Sequence, residues 1–131
     1  MTTTSAKTKH IDELHFEHQL WTSEANFYAD ELRIYQKRLS EVAAKNTGID
    51  VRKQIEHFQN QFIIQKEQLD ILNHEVTVHE QWLAKYAEEH PVAIDHQLFA
   101  DHKVMQEQVV IFGKIFTELK KEFREFLATW R

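Results

Sequence analysis

The fold is decided by the stretch from Val51 to Tyr86, which reads VRKQIEHFQNQFIIQKEQLDILNHEVTVHEQWLAKY. Within it, core-type residues recur at alternating spacings of three and four, which is the heptad pattern of a helix that keeps one face toward its partners. We call such a line of positions a seam. This seam contains Val51, Ile55, Phe58, Phe62, Gln65, Leu69, Leu72, Val76, His79, Leu83 and Tyr86.

The same alternation occurs on both sides of this stretch and predicts two more helices. The first seam contains Ile11, Leu14, His18, Trp21, Ala25, Tyr28, Leu32, Tyr35, Leu39 and Val42. The third contains Leu98, His102, Met105, Val109, Phe112, Phe116, Leu119, Phe123, Phe126 and Trp130. With only two Gly and one Pro in 131 residues, the chain is typical of long helices. We expect helices over 10–46, 50–89 and 95–130, in a single domain (10–131) that follows a disordered tail (1–9).

The residues between the seams carry helix-ending and helix-starting signals. Gly48 suits a left-handed cap at the end of the first helix, and Asp50 suits the N-cap of the second. Pro91 disfavours helix at the residue before it, and Asp95 can cap the third helix. Because the connections are short, neighbouring helices should be antiparallel. The predicted fold is an all-α, elongated, coiled-coil-like three-helix bundle that resembles a spectrin-type repeat in shape, a likeness that implies no function.

Composition excludes several classes of function. The net charge of −5 disfavours a nucleic-acid-binding protein, which usually presents a basic face. There is no Cys, no signal-peptide pattern at the N-terminus, and no apolar run near the roughly 20 residues of a membrane helix. Glycine-rich phosphate loops and nucleophile elbows are also missing, so an enzyme is the less favoured class. We expect a cytoplasmic protein with no nucleic-acid or membrane partner.

A second apolar line beside each seam predicts an interface with another chain. Each helix carries one such residue per heptad, so the apolar arc is wider than the roughly 100° typical of a surface helix. The leading hypothesis is therefore a non-enzymatic bundle that acts by self-association, with a homodimer favoured, or by binding another helical protein. Dimerisation could also complete the fold, and no cofactor is expected. The interface residues are Leu20, Phe27, Ile34, Ile64, Ile71, Val104 and Ile111.

Three histidines occupy seam positions on three different helices. Residues of antiparallel neighbours share a level when they are equally far from the turn that joins them. With turns near residues 48 and 91–92, His18, His79 and His102 lie within about one helical turn of one level, near one end of the bundle. Three imidazoles can hold one transition metal such as Zn or Fe, and Glu75 lies one turn before His79 as a further candidate ligand. A metal-binding bundle is therefore the alternative hypothesis.

A polar packing layer is the competing interpretation of these histidines, and the sequence favours it. Buried polar seam residues can fix helix register without binding any ligand, and Gln65 occupies such a position with no chemistry attached. The helical metal motifs Glu-x-x-His and His-x-x-x-His are also absent from the sequence. Beside the first seam, Glu17, Glu24 and Glu31 recur once per heptad, which indicates a rim that pairs with Lys or Arg across an interface.

Overall fold

The computed structural model describes residues 11–89 and 96–130. They form three long helices, α1 (Ile11–Lys45), α2 (Ile49–Glu89) and α3 (His96–Thr129), and contain no strand. The all-α three-helix fold is confirmed, and the predicted ends at 46, 50, 89 and 130 lie within about one residue of the observed ones. The predicted starts at 10 and 95 lie outside the described residues. The predicted tail (1–9) and the signals at Pro91 and Asp95 lie outside the described residues. None of the described helices has a segment both long and apolar enough to cross a membrane.

Side-chain contacts fix the direction of each helix. Glu17 and Glu31 of α1 contact His102 and Lys120 of α3, so these two helices run parallel. Since α2 connects them, it runs antiparallel to both. Accordingly, His18 near the start of α1 contacts Glu80 near the C-terminal end of α2. The bundle is therefore up-down-up, as short connections require.

The predicted seams form the core. Its largest cluster stacks aromatic rings from all three helices, with Phe62 and Phe123 fully buried and their ring centroids 5.0 Å apart. Burying one such ring stabilises the fold by about 1.5–3 kcal/mol. The cluster contains Ala25, Leu32, Leu39, Val42, Val51, Ile55, Phe58, Phe62, Leu69, Phe112, Phe116, Leu119, Phe123 and Phe126.

The turn between α1 and α2 differs from the prediction. Gly48 has no positive φ, so it is not a left-handed cap. Instead the Asn46 amide group caps α1, because both its backbone N–H and its Nδ2 donate to the Val42 carbonyl at 3.0 Å. The Gly48 carbonyl accepts the first hydrogen bond of α2, from the Arg52 N–H at 3.0 Å, which makes Gly48 the N-cap. Asp50 therefore lies inside the first turn, where its charge complements the helix dipole.

Polar and steric contacts join α1 to α3 in the middle of the bundle. Lys120 Nζ donates to Glu31 at 2.8 Å, and the Tyr35 hydroxyl donates to the same carboxylate at 3.2 Å. The predicted pairing of the glutamate rim with a cation is therefore confirmed at Glu31. Close by, a Cβ placed on Gly113 would lie 3.1 Å from the Tyr28 hydroxyl, so a glycine allows this approach of α3 to α1.

Candidate metal centre

His18, His79 and His102 come together inside the bundle, one from each helix, and we call them the His triad. Their side chains are buried, and their ring centroids lie 5.0, 5.1 and 5.8 Å apart. Each offers one ring nitrogen to a group of atoms that lie within 4.8 Å of one another. The heptad pattern explains this convergence, because the three residues are core positions at one level of three packed helices.

Two glutamates hold the outer nitrogens of two triad rings. The Glu80 carboxylate accepts from Nδ1 of His18 at 2.6 Å, and the Glu17 carboxylate accepts from Nε2 of His102 at 2.5 Å. Each carboxylate therefore keeps the proton on the outer nitrogen and leaves the lone pair of the neutral ring on the inner one. Histidines that bind metals in proteins nearly always carry such an outer acceptor.

The inner nitrogens of His18 and His79 have no hydrogen-bond partner among the described residues. Among the described residues, Nε2 of His18 and Nε2 of His79 are buried and contact no donor or acceptor at hydrogen-bonding distance. Leaving a buried polar atom unsatisfied costs about 1–3 kcal/mol. Both residues also contribute to the group of potential ligand atoms that lie within 4.8 Å of one another, an arrangement that a cation would stabilise.

The pKa of His79 is lowered from 6.5 to about 4. Burial is the main cause and the neighbouring His18 and His102 rings act in the same direction, while Asp101 and Glu80 act in the opposite one. His79 is therefore neutral at physiological pH. A neutral imidazole is the form that binds a metal ion, because protonation removes the lone pair.

Apolar side chains enclose the His triad above and below. Trp21 stacks on His102 with ring centroids 4.8 Å apart, and it belongs to a small cluster with Val76 and Met105. Toward the end of the bundle, a second cluster is formed by Ile11, Leu14, Leu83 and Leu98. These two clusters exclude water along the bundle axis, which strengthens any electrostatic interaction inside the centre.

The triad nitrogens are close to the spacing that a metal ion requires. Ions such as Zn²⁺ bind imidazole nitrogen at about 2.1 Å, so three tetrahedral ligands lie about 3.4 Å apart. The nitrogens would therefore have to approach one another by up to about 1.4 Å from the 4.8 Å limit. Ring rotation about the side-chain torsions can supply such a movement. An all-imidazole donor set suits Zn, Cu, Fe or Ni rather than Mg or Ca, which prefer oxygen ligands.

The other predicted ligand, Glu75, lies outside this group. It lines a cleft of about 420 Å³ between α2 and α3, together with His79, Asp101 and Val104, and we call this space the His79 cleft. The three-residue cluster of potential ligands does not include Glu75. In the same cleft, the Trp82 ring meets His79 edge-on with centroids 5.7 Å apart.

The predicted interface residues are all exposed, but they lie on two sides of the molecule. Ile71 and Ile111 line a second cleft of about 250 Å³ between α2 and α3, the Ile71 cleft, while Val104 lines the His79 cleft. Ile64 is exposed on α2. On α1 the exposed residues are Leu20, Phe27 and Ile34. The structure thus collects three of the predicted residues along one α2–α3 face.

Sequence reasoning did not identify Glu80, and it treated Glu17 as part of a charged rim. The residue numbers could have indicated both glutamates. Residues 17 and 80 are as close to one level of the bundle as residues 18 and 79 are, because both pairs lie equally far from the first turn. Each glutamate directly precedes or follows a seam histidine, and therefore flanks the seam of a neighbouring helix. Adjacent residues of one helix point in different directions. The Glu80 carboxylate therefore contacts His18 on α1 rather than the adjacent His79.

No known protein family, curated protein or solved structure matches the chain. The chemistry of the centre is therefore defined by its own donors and their surroundings. These are three buried imidazoles, two of which have carboxylates on their outer nitrogens. Three histidines with an open fourth position are a ligand set found in zinc enzymes.

Proposed function

We propose that the protein binds one transition-metal ion, with Zn²⁺ as the first candidate and Fe as another, through His18, His79 and His102. The observation that carries this proposal is the convergence of three buried imidazoles from three helices, each with a ring nitrogen in one 4.8 Å group. The outer carboxylates of Glu17 and Glu80 support it, because they orient two of the rings and raise the basicity of the ligating nitrogens.

A polar packing layer explains these contacts less well. A layer that only fixes register should satisfy its buried polar atoms within the protein. Here the hydrogen bonds to the described carboxylates go to outer nitrogens, and Nε2 of both His18 and His79 remains without a partner in the described structure. A metal ion would satisfy these atoms together, since each would donate its lone pair.

Metal binding would also connect the three helices near one end of the bundle. Each triad residue belongs to a different helix, so an ion bound to all three would be released when any of the helices separates. Ligands that bind only the folded state stabilise it by mass action. With three protein ligands, the ion would retain a position for water or another small ligand.

The test is metal analysis of protein purified without a histidine tag, followed by calorimetric titration of the metal-free protein with Zn²⁺. We expect one ion per chain and a higher melting temperature with Zn²⁺. His79→Ala should abolish both effects, whereas His57→Ala, which removes an exposed histidine from the same helix, should leave them unchanged. A wild-type protein that neither contains metal nor responds to Zn²⁺, Fe²⁺, Ni²⁺ or Cu²⁺ would contradict the proposal.

A second candidate function is self-association through the α2–α3 face. The exposed apolar side chains at the Ile71 cleft are Ile71, Ile111 and Ile115, which are 50–55% exposed. Because they come from both α2 and α3, a two-fold related copy could pack the same residues against them. Contiguous apolar surface of this kind usually marks an interaction site.

Sedimentation equilibrium tests this association. A dimer is expected at micromolar concentration, and the paired substitution of Ile71 and Ile111 by Glu should convert it to a monomer. Ile63→Glu changes an exposed isoleucine elsewhere on α2 and serves as the control. A wild-type protein that is monomeric throughout this concentration range would exclude the homodimer.

A further inference from the structure

Two clefts reach the His triad from solvent, on opposite sides of α2. The first, of about 320 Å³, lies between α1 and α2 and is lined by His18, Gln19 and Glu80 among others; we call it the His18 cleft. The second is the His79 cleft between α2 and α3. In the described structure, apolar clusters close the centre along the bundle axis. On the α1–α3 side the Glu17 carboxylate is bonded to Nε2 of His102, so we compare these two clefts as routes for a metal ion that exchanges with solvent.

The His18 cleft is closed by the hydrogen bonds that hold the triad. Both oxygens of Glu80 are engaged, one by Nδ1 of His18 and the other by Nδ1 of His15, each at 2.6 Å. The carboxylate and the outer edge of His18 therefore stand between this cleft and Nε2 of His18. Passage of an ion would require these two hydrogen bonds to break.

The His79 cleft has no such barrier among the described residues. His79 lines it directly, is 5% exposed, and has an Nε2 atom with no hydrogen-bond partner in the described structure. The cleft is also acidic, because Glu75 and Asp101 line it, and Asp101 lies close enough to His79 to act on its charge state. Carboxylates at the mouth of a cleft raise the local concentration of cations.

We propose that the His79 cleft is the route by which a divalent transition-metal ion reaches and leaves the His triad, with Glu75 and Asp101 attracting the ion at its mouth. This inference rests on the proposed metal binding. Val104 of α3 lines this cleft opposite α2. A larger side chain at this position would therefore obstruct the passage.

Rates of metal exchange test the route separately from metal affinity. The probe is Co²⁺, followed by its visible absorption on binding in a stopped-flow instrument, with dissociation started by excess chelator. Val104→Trp should slow association and dissociation by the same factor, about fivefold or more, because obstruction of a passage raises the barrier in both directions and leaves Kd within about twofold. Gln19→Trp places the same side chain at an exposed position of the His18 cleft and should change neither rate.

Asp101→Asn tests the charge of the cleft. Because this substitution preserves the side-chain shape, it also tests the route if Val104→Trp disturbs the fold. We expect association to slow by about threefold or more at low ionic strength, and the difference to shrink at high salt as the charges are screened. Glu118→Gln removes an equal charge from an exposed position on the same helix and is the control.

The outcomes separate the two proposals. Wild-type protein that binds neither Co²⁺ nor Zn²⁺ would overturn the metal centre itself and the route with it. Metal binding with unchanged rates in both Val104→Trp and Asp101→Asn, or slowing by Gln19→Trp instead, would overturn only the route. If Val104→Trp loses affinity while dissociation accelerates, the centre is damaged and Asp101→Asn decides: an unchanged association rate in that variant would overturn the route.

Discussion

Two glutamates determine which nitrogen of each neighbouring histidine faces the centre. Glu80 bonds Nδ1 of His18, whereas Glu17 bonds Nε2 of His102, so the inner nitrogen is Nε2 in one ring and Nδ1 in the other. The two carboxylates are partly exposed, with 31% and 21% of their side-chain surfaces accessible. The imidazoles that they orient are buried.

Removal of the Glu80 charge should weaken metal binding without abolishing it. In Glu80→Gln the outer acceptor of His18 becomes a weaker one, and loss of such an acceptor lowers metal affinity by about 10–100-fold. Calorimetric titration with Zn²⁺ measures the change. Glu67→Gln neutralises an exposed glutamate elsewhere on α2 and should bind as the wild type does; equal affinity in both variants would remove Glu80 from the centre.

The titration of His79 should make the metal-free protein less stable in acid. Its pKa is about 4 in the folded chain and 6.5 as the unperturbed value, so unfolding takes up a proton between these two pH values. The contribution is fully present above pH 6.5 and is lost as the pH falls toward 4. The full shift corresponds to at most about 3 kcal/mol, which we reduce to about 1–2 kcal/mol for solvent screening at the cleft.

Urea unfolding of the metal-free protein at a series of pH values measures this dependence. Because other groups also titrate in this range, the informative quantity is the difference between wild type and His79→Leu. The variant should lose about 1–2 kcal/mol less on acidification. Parallel pH profiles for the two proteins would show that His79 does not contribute.

In helix α2, the heptad pattern predicts the span of the helix but not the capping of the turn before it. Its 41 residues include buried seam positions from Val51 to Leu83, and the alternation of three and four was sufficient to predict its span. The prediction for the turn before α2 is wrong. Asn46 caps the end of α1, and Gly48 is not a left-handed cap. Propensity rules for Gly48 and Asp50 could not show which of several capping groups would reach the free carbonyl.

Gln65 is, like His79, a seam residue of α2 with an unsatisfied buried atom in the described structure. It is 4% exposed, and its Oε1 atom is buried without a hydrogen-bond partner. Gln65→Leu should therefore increase the free energy of unfolding by about 1–3 kcal/mol, the cost of an unsatisfied buried group. Chemical denaturation measures the change.

The matched control for this substitution is Gln54→Leu. Gln54 is exposed on the same helix, so its replacement should alter the free energy of unfolding by no more than about 0.5 kcal/mol. Destabilisation by Gln65→Leu would indicate that Gln65 has a partner, such as a second chain at the Ile71 cleft, which it also lines.

In the molecule as a whole, the His triad separates two apolar clusters of the core. The buried nitrogens of His18 and His79 lower the stability of the metal-free bundle, and bound metal would restore it. Functional sites commonly destabilise the fold that holds them. The effect of the histidines on stability can therefore be measured with and without metal in the same variants.

Replacement of His18, His79 and His102 together by Leu should reverse the order of stability with and without metal. Without metal, the triple variant should be more stable than wild type by about 1–3 kcal/mol, since buried polar atoms are replaced by apolar ones. With Zn²⁺ at about 100 times its Kd, wild type should gain about 2.7 kcal/mol and the variant nothing. Thermal unfolding with and without Zn²⁺ compares them.

Two results would contradict this expectation. If the triple variant were several kcal/mol less stable than wild type in the absence of metal, the histidines would have structural partners that the leucines cannot replace. If both proteins responded equally to Zn²⁺, the ion would bind elsewhere. Single replacement of His57, an exposed residue of α2, controls for nonspecific loss of imidazole.

The sequence by itself determined the helices, their order and the residues that share the core, because heptad spacing is a local property of the chain. It also placed His18, His79 and His102 near one level, since rise per residue and short connections relate residue numbers to height in a bundle. Those relations are accurate to about one turn, which is coarser than the length of a hydrogen bond.

Only the tertiary structure decided how these residues meet. Which glutamate reaches which imidazole, and which cleft opens onto His79, depend on the rotation of each helix about its axis and on the rotamer of each side chain. Both are set by packing against neighbours from distant parts of the chain. The pairing of Glu80 with His18, rather than with the adjacent His79, is the clearest result of that packing.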